Sequence, residues 1–229
     1  MSIIPIESIG EVGRGHDLAN TLATAVGEVG AVEGDVLVVT HKVVSKSEGA
    51  VVDLSDDPEE HLRLVESEAK SIIRRRGSLT ITETRHGFIC ANAGVDRSNA
   101  QPGTAILLPY DPDRSARRLR DRVYHHLGLE LPVIISDTFG RPWRRGLTDV
   151  AIGVAGIRPL MDLRGESDHM GRTLDVTEIA VVDEIAAAAD LVMGKSSMVP
   201  AALVRGAPYH QGAGEATELI RPPNEDLFR

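Results

Sequence analysis

The stretch Ile134-Ile135-Ser136-Asp137-Thr138-Phe139-Gly140-Arg141-Pro142-Trp143-Arg144-Arg145-Gly146 passes from an apolar run through an acid and a hydroxyl into three arginines. The apolar run reads as a strand that carries Asp137 to a sheet edge. A carboxylate there suits a hard cation such as Mg²⁺ or Mn²⁺. The guanidinium forks of Arg141, Arg144 and Arg145 suit phosphate or carboxylate. Metal-bound phosphate chemistry is one reading; an acid paired structurally with Arg141 or Arg144 is the other. Trp143 reads as a packing anchor at the rim of such a site.

Working outward on the N-terminal side, residues 17–29 place apolar side chains at helical spacing behind a capping acid, Asp17. Glu33-Gly34-Asp35 then turns the chain into the apolar strand Val36-Leu37-Val38-Val39-Thr40. Residues 58–76 read as one charged helix, with Leu62, Leu64, Val65, Ala69, Ile72 and Ile73 at mostly helical spacing and Gly77 as its stop. Residues 79–84 and 87–91 read as a hairpin-like pair of short strands, and 105–109 as another apolar strand. Asp111-Pro112-Asp113 opens a basic helix that ends near His126. On the C-terminal side, residues 146–156 are glycine-rich, so the backbone there admits close approach of a ligand or another strand. An alanine-rich helix over 178–193 follows, with Asp183 and Glu184 suited to its positive end, and a last strand spans 200–205. Helices alternating with strands predict an α/β or mixed α+β fold, spaced too irregularly for a barrel of eight units.

At 229 residues the chain suffices for one large domain or two small intertwined ones. A net charge of −9 argues against general affinity for nucleic acid or anionic membranes, because an acidic surface releases no counterions there. Cys90, the one cysteine, rules out an intramolecular disulfide and a thiolate zinc cluster, and reads as a small buried hydrophobe. The first ten residues lack a signal pattern, and no stretch approaches the roughly 20 apolar residues of a membrane span. A cytoplasmic protein is the expectation. His125-His126 lacks a matching pair of metal ligands.

Two more segments carry candidate chemistry. Thr40-His41-Lys42-Val43-Val44-Ser45-Lys46-Ser47-Glu48-Gly49 follows a buried strand, where α/β proteins hold ligands. Its lysines and histidine suit a triphosphate, but the GxxxxGK[ST] loop is missing, and taken alone the segment fits a solvated basic turn better. Ala93-Gly94-Val95-Asp96-Arg97-Ser98-Asn99 sets an acid and an amide three residues apart, in a ligand loop or an Asx-type turn. Lys195, just past a helix end, suits either that helix's carbonyls or a phosphate.

Taken in order, these three segments resemble the coenzyme F420-0:L-glutamate ligase family. So do Thr148-Asp149-Val150-Ala151-Ile152-Gly153, the segment from Val182-Asp183-Glu184 to Met193-Gly194-Lys195, and Val204-Arg205-Gly206. The resemblance covers nearly the whole chain and takes the stand-alone form, without the flavin-reductase domain into which some relatives continue. It implies GTP-dependent amide formation between the F420-0 carboxylate and L-glutamate, further γ-linked glutamates, and release of GDP and phosphate. It implies that Asp96 and Asp137 hold one divalent cation, Mg²⁺ or Mn²⁺, with Thr138 beside a second, and it admits K⁺ as a further ion. GTP contacts fall on Ile9, Gly10, Glu11 and Val12, and on His41, Lys46 and Asn99. Asp96, Asp137, Lys46 and Arg141 are the expected catalytic residues, and a mixed α/β homodimer of two interleaved parts is the expected architecture. A metal-dependent nucleotide phosphohydrolase and a non-catalytic F420 or nucleotide carrier are the competing classes.

Overall fold

In the computed structural model, which describes residues 1–227, the elements alternate along the chain. They are β1 (Ser2–Ile6), α1 (Leu18–Glu28), β2 (Val36–Thr40), α2 (His41–Glu48), β3 (Val51–Asp53), α3 (Pro58–Glu68), β4 (Ala69–Arg76), β5 (Leu79–Thr84), β6 (Ile89–Ala91) and β7 (Thr104–Ile106). There follow α4 (Pro112–Leu127), β8 (Val133–Arg141), β9 (Arg144–Ala155), β10 (Met161–Asp162), β11 (Glu178–Ile179), α5 (Val181–Met193) and β12 (Ala201–Arg205). The main sheet has five strands in the order β1-β12-β2-β8-β9, and its one parallel pair is β2 with β8. Smaller sheets join β4, β5 and β6, β3 to β7, and β10 to β11. The mixed α/β class expected from the sequence is the class observed.

Both faces of the main sheet are covered, and side-chain alternation along each strand sorts its residues between them. Leu37, Val39, Val133, Ile135 and Leu203 pack with Leu18 and Leu22 of α1 and with Ala116, Leu119 and Val123 of α4. Val36, Val38, Ile134, Ala202 and Val204 pack against Val181, Val182, Ile185, Ala186 and Ala189 of α5. Strands buried on both faces read as unbroken apolar runs, which is why 36–39 of β2 and 133–135 of β8 carry no polar residue. A smaller cluster of Leu54, Val65, Ala93, Val95 and Ala105 lies beneath α3.

The structure departs from the sequence reading in several places. The helix expected over 58–76 ends at Glu68, and Ala69–Arg76 is strand β4, paired antiparallel with β5. Ile72 and Ile73 are β-branched, and ladder pairing across the turn at Gly77 (φ 59°) outweighs the continued helical spacing. His41–Glu48 form helix α2, closed by Gly49 in the left-handed region, rather than a solvated turn; His41 is fully buried and Lys42 is 7% exposed. The glycine-rich stretch 146–156 lies within and just beyond β9. Its close approach is to a helix, since a Cβ on Gly153 would sit 2.5 Å from the Pro112 carbonyl carbon of α4. Trp143 is 87% exposed at the β8–β9 turn, outside the hydrophobic clusters. Cys90 is buried, and burial first, then the nearby Asp137 charge, push its thiol up to about 12.

Candidate active site

Strand β2 stops at Thr40, whose register partner is Ser136, whereas β8 runs on to Arg141. Beyond Thr40 the edge of β8 is therefore open. The gap is a cleft of about 620 Å³ lined by Asp137, Thr138, Asp149, the first turns of α2, the end of α5 and the residues after it. Parallel strand ends of this kind are where α/β sheets present ligand sites.

A bulge decides which side chains reach the cleft. The β8–β9 register steps from Ile135 opposite Gly153 to Ser136 opposite Ala151, leaving Ile152 as the extra residue. One extra residue reverses the parity of everything beyond it. Asp149 thereby joins Ser136 and Thr138 on the α5 face. Its Oδ2 accepts a hydrogen bond from Ser136 Oγ at 2.7 Å and its Oδ1 one from Thr138 Oγ1 at 2.6 Å, at 4% exposure. Lys195 Nζ donates to Thr138 Oγ1 from the cleft side. With its proton given to Asp149, the Thr138 hydroxyl offers lone pairs to a cation, and the lysine ammonium takes them.

Asp137 points to the opposite face. Its Oδ1 lies 3.2 Å from buried His41 Nε2, which is out of line for a hydrogen bond, and it accepts the Thr138 N–H at 2.7 Å. The arginine partners offered as an alternative are absent: Arg141, Arg144 and Arg145 are exposed around the hairpin tip and do not line the cleft. Asp96 is gripped by Lys42 at 2.7 Å and by the Ser98 N–H at 2.6 Å. Burial opposes its charge, but the Lys42 hydrogen bond and charge, with the Ser98 bonds, outweigh that and hold it below the usual carboxylate range.

Of the residues expected to contact GTP, Gly10, Glu11, Lys46 and Asn99 line the cleft, with Lys46 Nζ 3.9 Å from Glu11. Asn99 Nδ2 donates to the Lys195 carbonyl at 3.3 Å, joining two loops over the cleft. Ile9 and Val12 are core residues, and His41 lies beneath Asp137. Asp96 sits behind Lys42 rather than in the lining itself. Among the described residues, no three histidine, cysteine or carboxylate side chains converge to enclose a metal ion. The oxygen donors at the open edge are the Asp137 carboxylate and the Thr138 hydroxyl. Asp183, at the start of α5, accepts the Ala151 N–H at 2.8 Å and so serves the sheet.

The sequence reading passed over Asp149 and Asp190, both of which line this cleft. Strand alternation hides Asp149, because the bulge that re-aims it leaves no mark in the periodicity. Asp190 had a readable sign: an acid in the last turn of a helix faces the negative end of its dipole.

The family model described as F420-0:gamma-glutamyl ligase matches residues 7–206. The chain belongs to that family. It is 43% identical to the coenzyme F420:L-glutamate ligase of Methanothermobacter thermautotrophicus over 100% of this chain and 99% of that protein. It is 43% identical to the enzyme of the same name from Methanopyrus kandleri, over 99% of the chain and 96% of that protein. The corresponding Methanocaldococcus jannaschii protein is 41% identical over 86% and 85%. Among the described residues of this F420-0:gamma-glutamyl ligase family member, no helix is long and apolar enough to cross a membrane.

Proposed function

We propose that this chain joins L-glutamate to coenzyme F420-0 by an amide bond, driven by GTP, in the cleft beyond Thr40. The observation that carries the reading is the gathering of Lys42, Lys46 and Lys195 with Asp137 and Thr138 in one cleft, under a family whose name is that reaction. A carboxylate is a poor acyl donor because its oxygen leaves badly. The F420-0 carboxylate therefore attacks the γ-phosphate of GTP, GDP leaves, and the glutamate amine displaces phosphate from the acyl phosphate.

Each cleft residue has a part in that sequence. Lys46 and Lys195 serve as point charges on phosphate oxygens. Asn99 donates to the nucleotide, and Lys42 keeps Asp96 ionised. The donors fit a divalent cation in kind: hard oxygens on an open edge, too few for a closed cage, suit Mg²⁺ or Mn²⁺ completed by phosphate oxygens and water. Asp137, Thr138 and, once released by Lys42, Asp96 would hold it, and when bound it neutralises phosphate charge during transfer. Asp149 fixes the Thr138 hydroxyl, and the Thr138 N–H orients the Asp137 carboxylate above buried His41.

Mass spectrometry of F420-0 incubated with GTP, L-glutamate and Mn²⁺, beside mixtures each lacking one component, tests the reaction. Species heavier by glutamyl units in the complete mixture alone are expected. GTP consumption without F420-0 would favour a phosphohydrolase instead. Oxygen label in the F420-0 carboxylate is expected in the released phosphate, and its absence there would remove the acyl-phosphate step.

A further inference from the structure

Glutamate brings its amine as an ammonium, which has no lone pair for attack, so the ligation proposed above needs a proton acceptor in the cleft. Four of the five nearby carboxylates are committed elsewhere. Glu11 lies 3.9 Å from Lys46, Asp96 is held by Lys42 and Ser98, Asp137 accepts the Thr138 N–H with His41 Nε2 3.2 Å away, and Asp149 is held by two hydroxyls. Asp190 lines the cleft from the last turn of α5 and, among the described residues, makes no side-chain hydrogen bond or ion pair.

Its position is unfavourable for a charge that serves the fold alone. The C-terminal turn of a helix repels an anion. Burial first, then the negative charge of Asp149, raise its pKa, with Lys195 only partly opposing. A raised carboxylate costs stability as pH climbs through its folded-state pKa, so at neutral pH Asp190 works against the native state. Groups kept at such a cost belong to sites that use them. The charged groups lining the cleft with it are Asp149 from β9, Asp137 from β8, Lys42 and Lys46 from α2, Glu11 from the N-terminal segment and Lys195 from its own loop.

We infer that Asp190 is the general base of the ligation, taking the proton of the incoming glutamate ammonium. The freed nitrogen lone pair adds to the acyl carbon of the acyl phosphate. The carbon–oxygen bond to phosphate then breaks, its electron pair leaving on the phosphate oxygen, and the nitrogen's second proton leaves with that phosphate. Asp190 ends neutral and returns its proton to water. The inference rests on the ligase reading but fails separately from it.

The test compares wild type with Asp190→Asn using two nucleophiles, L-glutamate and hydroxylamine, in the presence of F420-0, GTP and Mn²⁺. Hydroxylamine is already neutral at pH 7 and needs no base. The variant is expected to lose about 10²- to 10⁴-fold in glutamyl product, the usual worth of a positioned base, while retaining F420 hydroxamate formation. Its thermal midpoint is expected to rise, which also shows that it folds. Loss of both products would make Asp190 part of the phosphate or cation machinery, and retention of both would make it dispensable; either overturns the inference. Failure of wild type to form any glutamyl product would instead defeat the ligase reading.

Discussion

Two clefts of nearly equal size lie along β9. The one beside Asp149 measures about 620 Å³ and the one beside Ala155 and Gly156 about 640 Å³. The second is also charged, with Arg117, Arg120, Glu130, Glu215 and Glu218 in its walls. Volume does not separate them; the elements that build their walls do. In the second cleft Arg120 is paired with Glu130 at 3.2 Å, and its walls come from α4 and the glycine-rich tail rather than from parallel strand ends. In the first, side chains from four elements meet at an open strand edge, a bulge turns an acid inward, and one carboxylate stands uncommitted. The lesson is that a site is recognised by charge held against the interest of the fold.

That contrast can be broken by substitution. Among substitutions of residues that support the site without touching the reacting groups, the largest effect is expected from Asp149→Ala, which leaves the Ser136 and Thr138 hydroxyls without their acceptor. Ligation should fall about 10- to 100-fold, as when the partner that orients a ligand is removed, and stability by about 1–3 kcal/mol for buried groups left unsatisfied. Steady-state kinetics and urea unfolding measure the two, and unchanged kcat would remove Asp149 from the account. Lys46→Met comes next. Loss of one charge-assisted contact worth about 1.5–3 kcal/mol should raise the KM for GTP about tenfold or more, and an equal KM would place the nucleotide elsewhere.

A third substitution probes the seam between the clefts. Gly153→Ala places a Cβ 2.5 Å from the Pro112 backbone, so α4 must shift. Overpacking of this kind costs about 1–3 kcal/mol, visible as a lower thermal midpoint. The smallest effect concerns Asp96, whose pKa is lowered by Lys42 and Ser98 against burial. Its contribution to stability is complete above the unfolded value and disappears as pH falls through the folded one. The difference in unfolding free energy between wild type and Asp96→Asn should therefore be constant near neutrality and shrink in acid. A difference that grew in acid would reverse the assigned sign.

Most of the main sheet was legible because its residues answer to local rules. Val36–Thr40 and the start of Val133–Arg141 are apolar runs, and Asp17 and Asp111 cap the helices they precede, accepting from Asn20 and Arg114. The site was legible as three segments, and the structure brings Lys46, Asn99, Asp137 and Thr138 into one cleft. What stayed hidden depends on tertiary pairing. β4 is strand only because β5 lies beside it, α2 is buried only because the sheet and the 92–99 loop cover it, and Asp149 faces inward only through a bulge. Arg141 shows the converse, for a guanidinium near the motif in sequence lies out on the hairpin.

The most direct measurement is glutamyl transfer to F420-0, followed by mass spectrometry with GTP and Mn²⁺, for wild type, Asp137→Asn and Arg117→Ala side by side. Placement of the chemistry beyond Thr40 predicts product from wild type and Arg117→Ala at similar rates, and a loss of at least about 100-fold in Asp137→Asn, comparable to removal of a key electrostatic group in other active sites. Normal turnover by a folded Asp137→Asn variant, with loss in Arg117→Ala, would contradict it and move the reaction to the other cleft.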